Sequence, residues 1–226
     1  MKIAVLGTGT VGRTIAAKLL DLGHEVTVGT RDPEATLARS ERDGMGNPPY
    51  STWQAEHPAV ALARFAEAAE QADLVVNATG GGASLEMLAL AGADNLAGKV
   101  LLDISNPLDF SQGFPPTLFV KDTDSLAEQI QRAFPEARVV KSLNTMTAAV
   151  MVDPARVAGG DHSVFVSGND EAAKQTVIEL LKSFGHTDVI DLGDLSTARG
   201  TEMLLPIWLR LMGALGTPYF NVKIAR

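Results

Sequence analysis

The chain opens with a short apolar run, Lys2–Leu6, that halts at Gly7-Thr8-Gly9-Thr10-Val11-Gly12. It then continues into residues spaced for a helix: Val11, Ile15, Leu19 and Leu22. This junction constrains the fold more than any other feature. A strand buried on both faces reads as an unbroken apolar run. Apolar residues three and four apart mark the inner face of a helix. Between them, Gly7 makes a turn too tight for a side chain, Gly9 leaves the backbone open to a pyrophosphate, and Gly12 lets the helix pack closely on the strand. Gly23 closes the helix and Glu25–Val28 reads as a second strand, which gives the glycines the strand–helix–strand context they need. The helix N-terminus offers free N–H groups and a positive dipole end to an anion. The reading is a dinucleotide-binding unit; the alternative is a glycine-rich turn with no ligand.

The same alternation runs through the chain. An amphipathic stretch, Glu34–Arg42, leads to a long loop, Gly44–Pro58, containing Asn47-Pro48-Pro49 and Trp53. Ala59–Gln71 reads as helix, Leu74–Ala78 as strand, Ser84–Ala91 as helix, and Val100–Ile104 as a strand ending at Ser105-Asn106-Pro107. Ser125 and Glu128 form a capping box for a helix through Phe134. Arg138–Lys141 and Ser163–Val166 read as strands. Asn169 or Asp170 caps a helix carrying Ala173, Val177, Leu180, Leu181 and Phe184, and Val189–Asp191 is a short strand. The last helix, about Ser196–Leu215, is apolar nearly all round and is kinked by Pro206. Such a helix is either buried or packed on another chain. The expected fold class is α/β: a Rossmann-type doubly wound, mostly parallel sheet with a C-terminal apolar helical extension. Residues 1–226 read as one domain, a dinucleotide-binding core over 1–145 and a strand–helix extension over 146–226.

Composition removes several function classes. The absence of cysteine excludes disulfides, thiolate nucleophiles and iron–sulfur ligation. The histidines, His24, His57, His162 and His186, stand singly, so no metal site is expected. A net charge of −8 argues against nucleic-acid and anionic-membrane partners. The N-terminal apolar run is too short for a signal peptide, and Pro206 and Arg210 interrupt the most apolar stretch, so a cytoplasmic protein is expected.

The end of the second strand chooses between cofactors. An acid there grips the ribose 2′-hydroxyl of NAD. This chain reads Val28-Gly29-Thr30-Arg31-Asp32. Thr30 stands near the acid's usual place, and a hydroxyl followed by a guanidinium suits a 2′-phosphate. Asp32 precedes Pro33 and reads as the cap of the next helix. NADP(H) is therefore expected over NAD(H).

Other side chains carry weaker signals. Asp103, on a central strand, needs partners if buried. Asn144 lies at a strand end, where open sheets place ligands. His162 reads as a surface or loop residue, Glu202 as solvated or structurally paired, and Trp53 as loop packing. Lys141 has no evident proton path, and the sequon Asn77-Ala78-Thr79 falls on a core strand. No catalytic acid or base is assigned.

Gly7–Gly12, Gly29-Thr30-Arg31-Asp32, Val139-Val140-Lys141-Ser142-Leu143-Asn144-Thr145 and Val166-Ser167-Gly168-Asn169-Asp170 together resemble the NADP oxidoreductase, coenzyme F420-dependent family, which includes the cytosolic domain of the STEAP metalloreductases. The resemblance spans nearly the whole chain. It implies that Thr8, Thr10 and Val11 contact the pyrophosphate and that Thr30 and Arg31 hold the 2′-phosphate. It implies that Ala78, Thr79 and Gly80 run beside the adenosine-side ribose and the nicotinamide half, with Asn106 and Pro107 near the nicotinamide. Asn144, Thr145 and Met146 would line a pocket where a deazaflavin, coenzyme F420, stacks on the nicotinamide. The family's habit is a homodimer, and Gly213 and Gly216 would allow close approach of the last helix. Direct hydride transfer to such a small-molecule acceptor needs orientation rather than a nucleophile. Two other readings stand beside it: a non-catalytic NADP(H) sensor, and a reductase of imines or β-hydroxy acids.

Overall fold

The structure, a computed structural model, describes residues 1–42 and 46–226. In chain order the elements are β1 (Lys2–Leu6), α1 (Thr10–Asp21), β2 (Glu25–Thr30), α2 (Pro33–Ala38), α3 (Tyr50–Glu56), β3 (Ala61–Arg64), α4 (Phe65–Gln71), β4 (Leu74–Asn77), α5 (Ser84–Ala91), α6 (Ala93–Leu96), β5 (Val100–Asp103), β6 (Leu108–Asp109), β7 (Thr117–Leu118), α7 (Leu126–Ala133), β8 (Arg138–Ser142), α8 (Ala148–Val152), β9 (Ser163–Gly168), α9 (Glu171–Phe184), β10 (Asp188–Asp191), α10 (Ala198–Met203) and α11 (Leu205–Leu215).

Eight strands form one sheet in the order β10-β9-β8-β5-β4-β1-β2-β3. All neighbours are parallel except β8 and β9, which run antiparallel. The strands of the tail thus extend the same sheet. Side chains alternate across a strand, so β1 sends Ile3 and Val5 to the core under α1, α8 and α9, and Ala4 and Leu6 to the core under α4, α5 and α7. Both faces being covered, the central strands need continuous apolar runs. Connections leave β1 in opposite directions along the sheet, toward β2 and toward β4. The crevice at the carboxyl ends of β1 and β4 is therefore the place where open α/β sheets bind ligands.

Several sequence expectations are corrected. The stretch 59–71 is not one helix: Ala61–Arg64 is an edge strand paired with β2, and α4 begins at Phe65. The ladder with Thr27–Thr30 outweighs the helix preference of the alanines. The second strand continues through Thr30 for the same reason. The helix after it ends at Ala38, short of Arg42. The loop expected over 44–58 contains α3 after Pro49, and its residues 44–45 lie outside the described ones. Trp53 belongs to that helix and packs between the rings of Tyr50 and His57. The last helix breaks at Leu204, with Pro206 in the first turn of α11. Of α11 only Leu205 is buried, while Ile207, Leu211 and Leu215, one face at spacing four, are 52%, 36% and 56% exposed. Its apolar face is not covered by this chain. No helix among the described residues is long and apolar enough to cross a membrane.

Candidate functional site

The crevice begins at the glycine turn. Gly7 has φ +121°, and a Cβ there would stand 2.6 Å from the carbonyl oxygen of Ala78. A Cβ on Gly12 would collide with the carbonyl of Gly7. These two glycines let the β1 turn, α1 and the end of β4 touch. Gly9 differs, because a Cβ there meets nothing within 4 Å. It is the N-cap of α1, and no side chain caps the helix. The first N–H groups of a twelve-residue helix are thus left to an anion. Turn and helix end fit a pyrophosphate. Thr8 and Thr10 are half-buried beside this opening. Asn47 Nδ2 donates to Thr10 Oγ1 at 2.7 Å, bringing the segment after residue 45 against the helix start. Arg13 ties the two together: Nε donates to the Thr8 carbonyl (2.8 Å) and an Nη to the Pro48 carbonyl (2.6 Å), with the guanidinium 5.5 Å from the Tyr50 ring centre.

Beyond Thr8 lies a cavity of about 440 Å³ whose walls include Arg13, Thr36, Arg39, Glu41, Arg42 and Tyr50. Among the described residues of its wall, three guanidiniums face one carboxylate, a local exception in a chain of net charge −8. Thr30 is buried, and its hydroxyl lies 2.9 Å from that of Thr36, a member of the cavity wall. Arg31 is exposed directly after β2, and Asp32 caps α2 by accepting from the N–H of Ala35 (3.0 Å), as its place before Pro33 predicts. Sequence reasoning had missed Arg39 and Arg42. Their signal was two arginines in a charge-balanced stretch, Glu34–Arg42, that reads as one amphipathic helix.

At the other end of the crevice the charged side chains are buried. The register of β5 on β8 sets Asp103 beside Lys141. Lys141 is 1% exposed, and its ammonium donates to Asp103 Oδ2 (2.8 Å) and the Ser105 carbonyl (2.6 Å) and pairs with Glu202 Oε1 (2.9 Å). Burial alone would lower its pKa, but the facing carboxylates of Asp103 and Glu202 outweigh burial and raise it, so the lysine is charged. Asp103 Oδ1 accepts from Asn77 Nδ2 (2.8 Å) and Ser105 Oγ (2.7 Å), and Asn77 Oδ1 accepts from Thr79 Oγ1 (2.7 Å). Glu202 also accepts the N–H groups of Leu126 and Ala127 at the start of α7. It is therefore paired and buried, not solvated.

Asn144 Nδ2 donates to Asn106 Oδ1 (3.1 Å) and to the Thr201 carbonyl (3.1 Å), while Asn106 Nδ2 returns a bond to the Asn144 carbonyl (3.2 Å). These bonds join Asn106 to Asn144, while Ala78 and Thr79 follow β4 and Pro107 follows β5 at the same end of the sheet. Thr145 and Met146 are buried behind them, Met146 within the core under α8. Gly81 packs against the Asn106 carbonyl, where a Cβ would collide, and Gly80 beside it is exposed. His162 lies elsewhere. It is buried rather than on the surface, its Nε2 against the Pro154 carbonyl (3.0 Å) and its Nδ1 against Asn221 (2.8 Å), because the C-terminal tail folds over it.

Residues 2–107 match the family described as NADP oxidoreductase, coenzyme F420-dependent. A solved structure from Arthrobacter sp. FB24, described as a candidate F420-dependent NADP-reductase, is 69% identical with a TM-score of 0.96, covering 100% of both chains. The F420-dependent NADP reductase of Methanocaldococcus jannaschii is 28% identical, over 93% of this chain and 92% of its own length. Metalloreductase STEAP3 of Rattus norvegicus is 31% identical over 92% of this chain, which spans 38% of that protein's length. An imine reductase from Aspergillus terreus, 20% identical with a TM-score of 0.63, shares the fold. The chain thus belongs to the NADP oxidoreductase, coenzyme F420-dependent family and is an NADP-dependent oxidoreductase.

Proposed function

We propose that the protein transfers a hydride between NADPH and a deazaflavin of the coenzyme F420 type, in the cytoplasm, by direct apposition of the two rings. The observation that carries this reading is the contrast within one crevice. Its glycine-lined end offers an uncapped helix N-terminus and a cavity walled by guanidiniums. Its other end, residues 77–80, 103–107 and 141–146, exposes no acid or base, since Asp103 and Lys141 are buried and paired. Reduction of a carbonyl calls for a proton donor at the reacting atom. A deazaflavin spreads the incoming electron pair over its ring and takes its proton from solvent at a distant nitrogen.

In this reading Gly7, Gly9 and Gly12 admit the pyrophosphate, and the N–H groups after Gly9, with Thr8, Thr10 and Val11, hold it. Arg31, with Thr30 behind Thr36, grips the 2′-phosphate, assisted by the cavity's Arg39 and Arg42. Ala78, Thr79 and Gly80 carry the chain of contacts toward the nicotinamide, which Asn106 and Pro107 flank. Asn144, backed by Thr145 and Met146, borders the acceptor. Bound NADPH supplies the hydride; the protein supplies two fixed planes and excludes water between them. The apolar face of α11 is read as the contact with a second copy of the chain, making a homodimer. An Ile207→Glu variant eluting as a monomer beside a dimeric parent would support that.

The test is steady-state oxidation of NADPH with F420, FMN, FAD and a cyclic imine as acceptors. Turnover with F420 well above the others supports the reading. Tight NADPH binding with no turnover would leave a nucleotide-binding protein without this chemistry.

A further inference from the structure

We infer that Lys141 is a positioning residue for hydride transfer, tying the Ser105-Asn106-Pro107 turn to the C-terminal extension. The inference rests on the reading above that the nicotinamide lies over the ends of β4, β5 and β8. Lys141 has three N–H donors, and all three are used: Asp103, the Ser105 carbonyl and Glu202. The first two partners belong to β5 and its turn. The third belongs to α10. Its neighbour Thr201 makes a second tie, accepting from Asn144, which also holds Asn106. Two consecutive residues of α10 therefore fix both sides of the crevice floor.

The choice of residue types supports this role. A buried ion pair contributes little stability beyond what well-packed apolar side chains would give. What the lysine supplies is a three-point geometry that no apolar residue can. The backbone between Lys141 and Asn144 carries the matching strain: Leu143 is buried with φ +61°, a left-handed conformation rare outside glycine and asparagine. Such residues persist where the surroundings over-determine them, and they cluster at ligand sites. Lys141 does not reach the crevice surface, so it acts through Ser105 and Asn106 rather than on the reacting atoms.

The test compares Lys141→Met and Glu202→Gln with the parent protein. Three readouts are taken: binding of 2′,5′-ADP, which lacks the nicotinamide; the fluorescence of bound NADPH, which reports the nicotinamide's surroundings; and kcat and KM with F420. Positioning predicts 2′,5′-ADP affinity within about twofold of the parent, NADPH fluorescence shifted toward that of the free nucleotide, and kcat lowered about 100-fold for Lys141→Met and roughly tenfold for Glu202→Gln, with KM for NADPH little changed. Folded variants with parental kcat and parental NADPH fluorescence would overturn it. Should Lys141→Met fail to fold, the isosteric Glu202→Gln decides alone. If the parent binds NADPH with altered fluorescence but does not reduce F420, the acceptor assigned above is wrong, and the fluorescence comparison still tests the positioning role.

Discussion

The two ends of the crevice are built on opposite principles. At the glycine end, polar groups are left open: an uncapped helix N-terminus, an exposed Arg31, and a cavity with Arg39 and Arg42 in its wall. At the far end the side chains of Asn77, Asp103, Ser105, Lys141 and Glu202 are bonded in one network, and Asp103, Lys141 and Glu202 are shut away from water. Open cationic groups recognise a charged ligand and let it leave. A closed network holds geometry, because moving one member strands its partners in a low dielectric. Under the proposed function, affinity and orientation fall to different parts of the sheet's carboxyl end, and substitutions should separate them.

The largest effect is expected at the glycine end. Gly12→Ala drives a methyl into the Gly7 carbonyl and pries α1 from the turn. NADPH affinity should fall by roughly 100-fold or more, equivalent to about 3 kcal/mol, a usual scale for overpacking. Isothermal titration measures it, and near-parental affinity would mean that the turn does not seat the pyrophosphate. Arg31→Ala comes next. Loss of one charge-assisted contact should lower NADPH affinity about 10- to 100-fold while leaving NADH affinity unchanged. Equal losses for both nucleotides would remove Arg31 from 2′-phosphate recognition.

How much of this contrast is legible in the sequence depends on how far apart the cooperating residues lie. The glycine end is local. Gly7, Gly9, Gly12 and the strand end at Thr30-Arg31 fall within one strand–helix–strand unit, and their spacing states their job. The far end is not. Lys141 meets Asp103 only through the register of β5 on β8, and Glu202 arrives from α10, far along the chain. A lysine in a buried strand and a glutamate before an apolar run were the available signals, and each was ambiguous alone. β3 was misread because Ala61-Leu62-Ala63-Arg64 has helical composition, and only the ladder with β2 makes it a strand. Asp170 and Ser125 were readable as caps, since a cap needs only its own next three residues.

Smaller effects sharpen the far end. Ser125 caps α7 by accepting from the Glu128 N–H at 3.1 Å, on the same helix start that Glu202 holds. Ser125→Ala should cost about 1 kcal/mol of stability. Because Glu202 still holds Leu126 and Ala127, NADPH fluorescence should be unchanged. Chemical denaturation and a binding titration check the two halves.

The smallest effect is acid sensitivity at Asp124. A bidentate Arg132 holds its pKa at about 2, below the ordinary 3.8. A carboxyl with a lowered folded pKa adds stability that is complete above its unfolded pKa and lost as pH falls through the folded value. The contribution should therefore fade between about pH 4 and pH 2. Arg132 is exposed and Asp124 half-buried, so solvent screening keeps the pair below about 1 kcal/mol. Comparing Asp124→Asn with the parent by thermal melts across that range tests it, and a difference persisting below pH 2 would contradict the assignment.

In the proposed function the two rings meet directly. The decisive measurement is a single turnover of NADPH deuterated at both C4 positions with F420. Direct transfer predicts one deuterium on the reduced deazaflavin and a primary isotope effect on the rate. Deuterium washed into solvent, or a reduced deazaflavin without label, would contradict it.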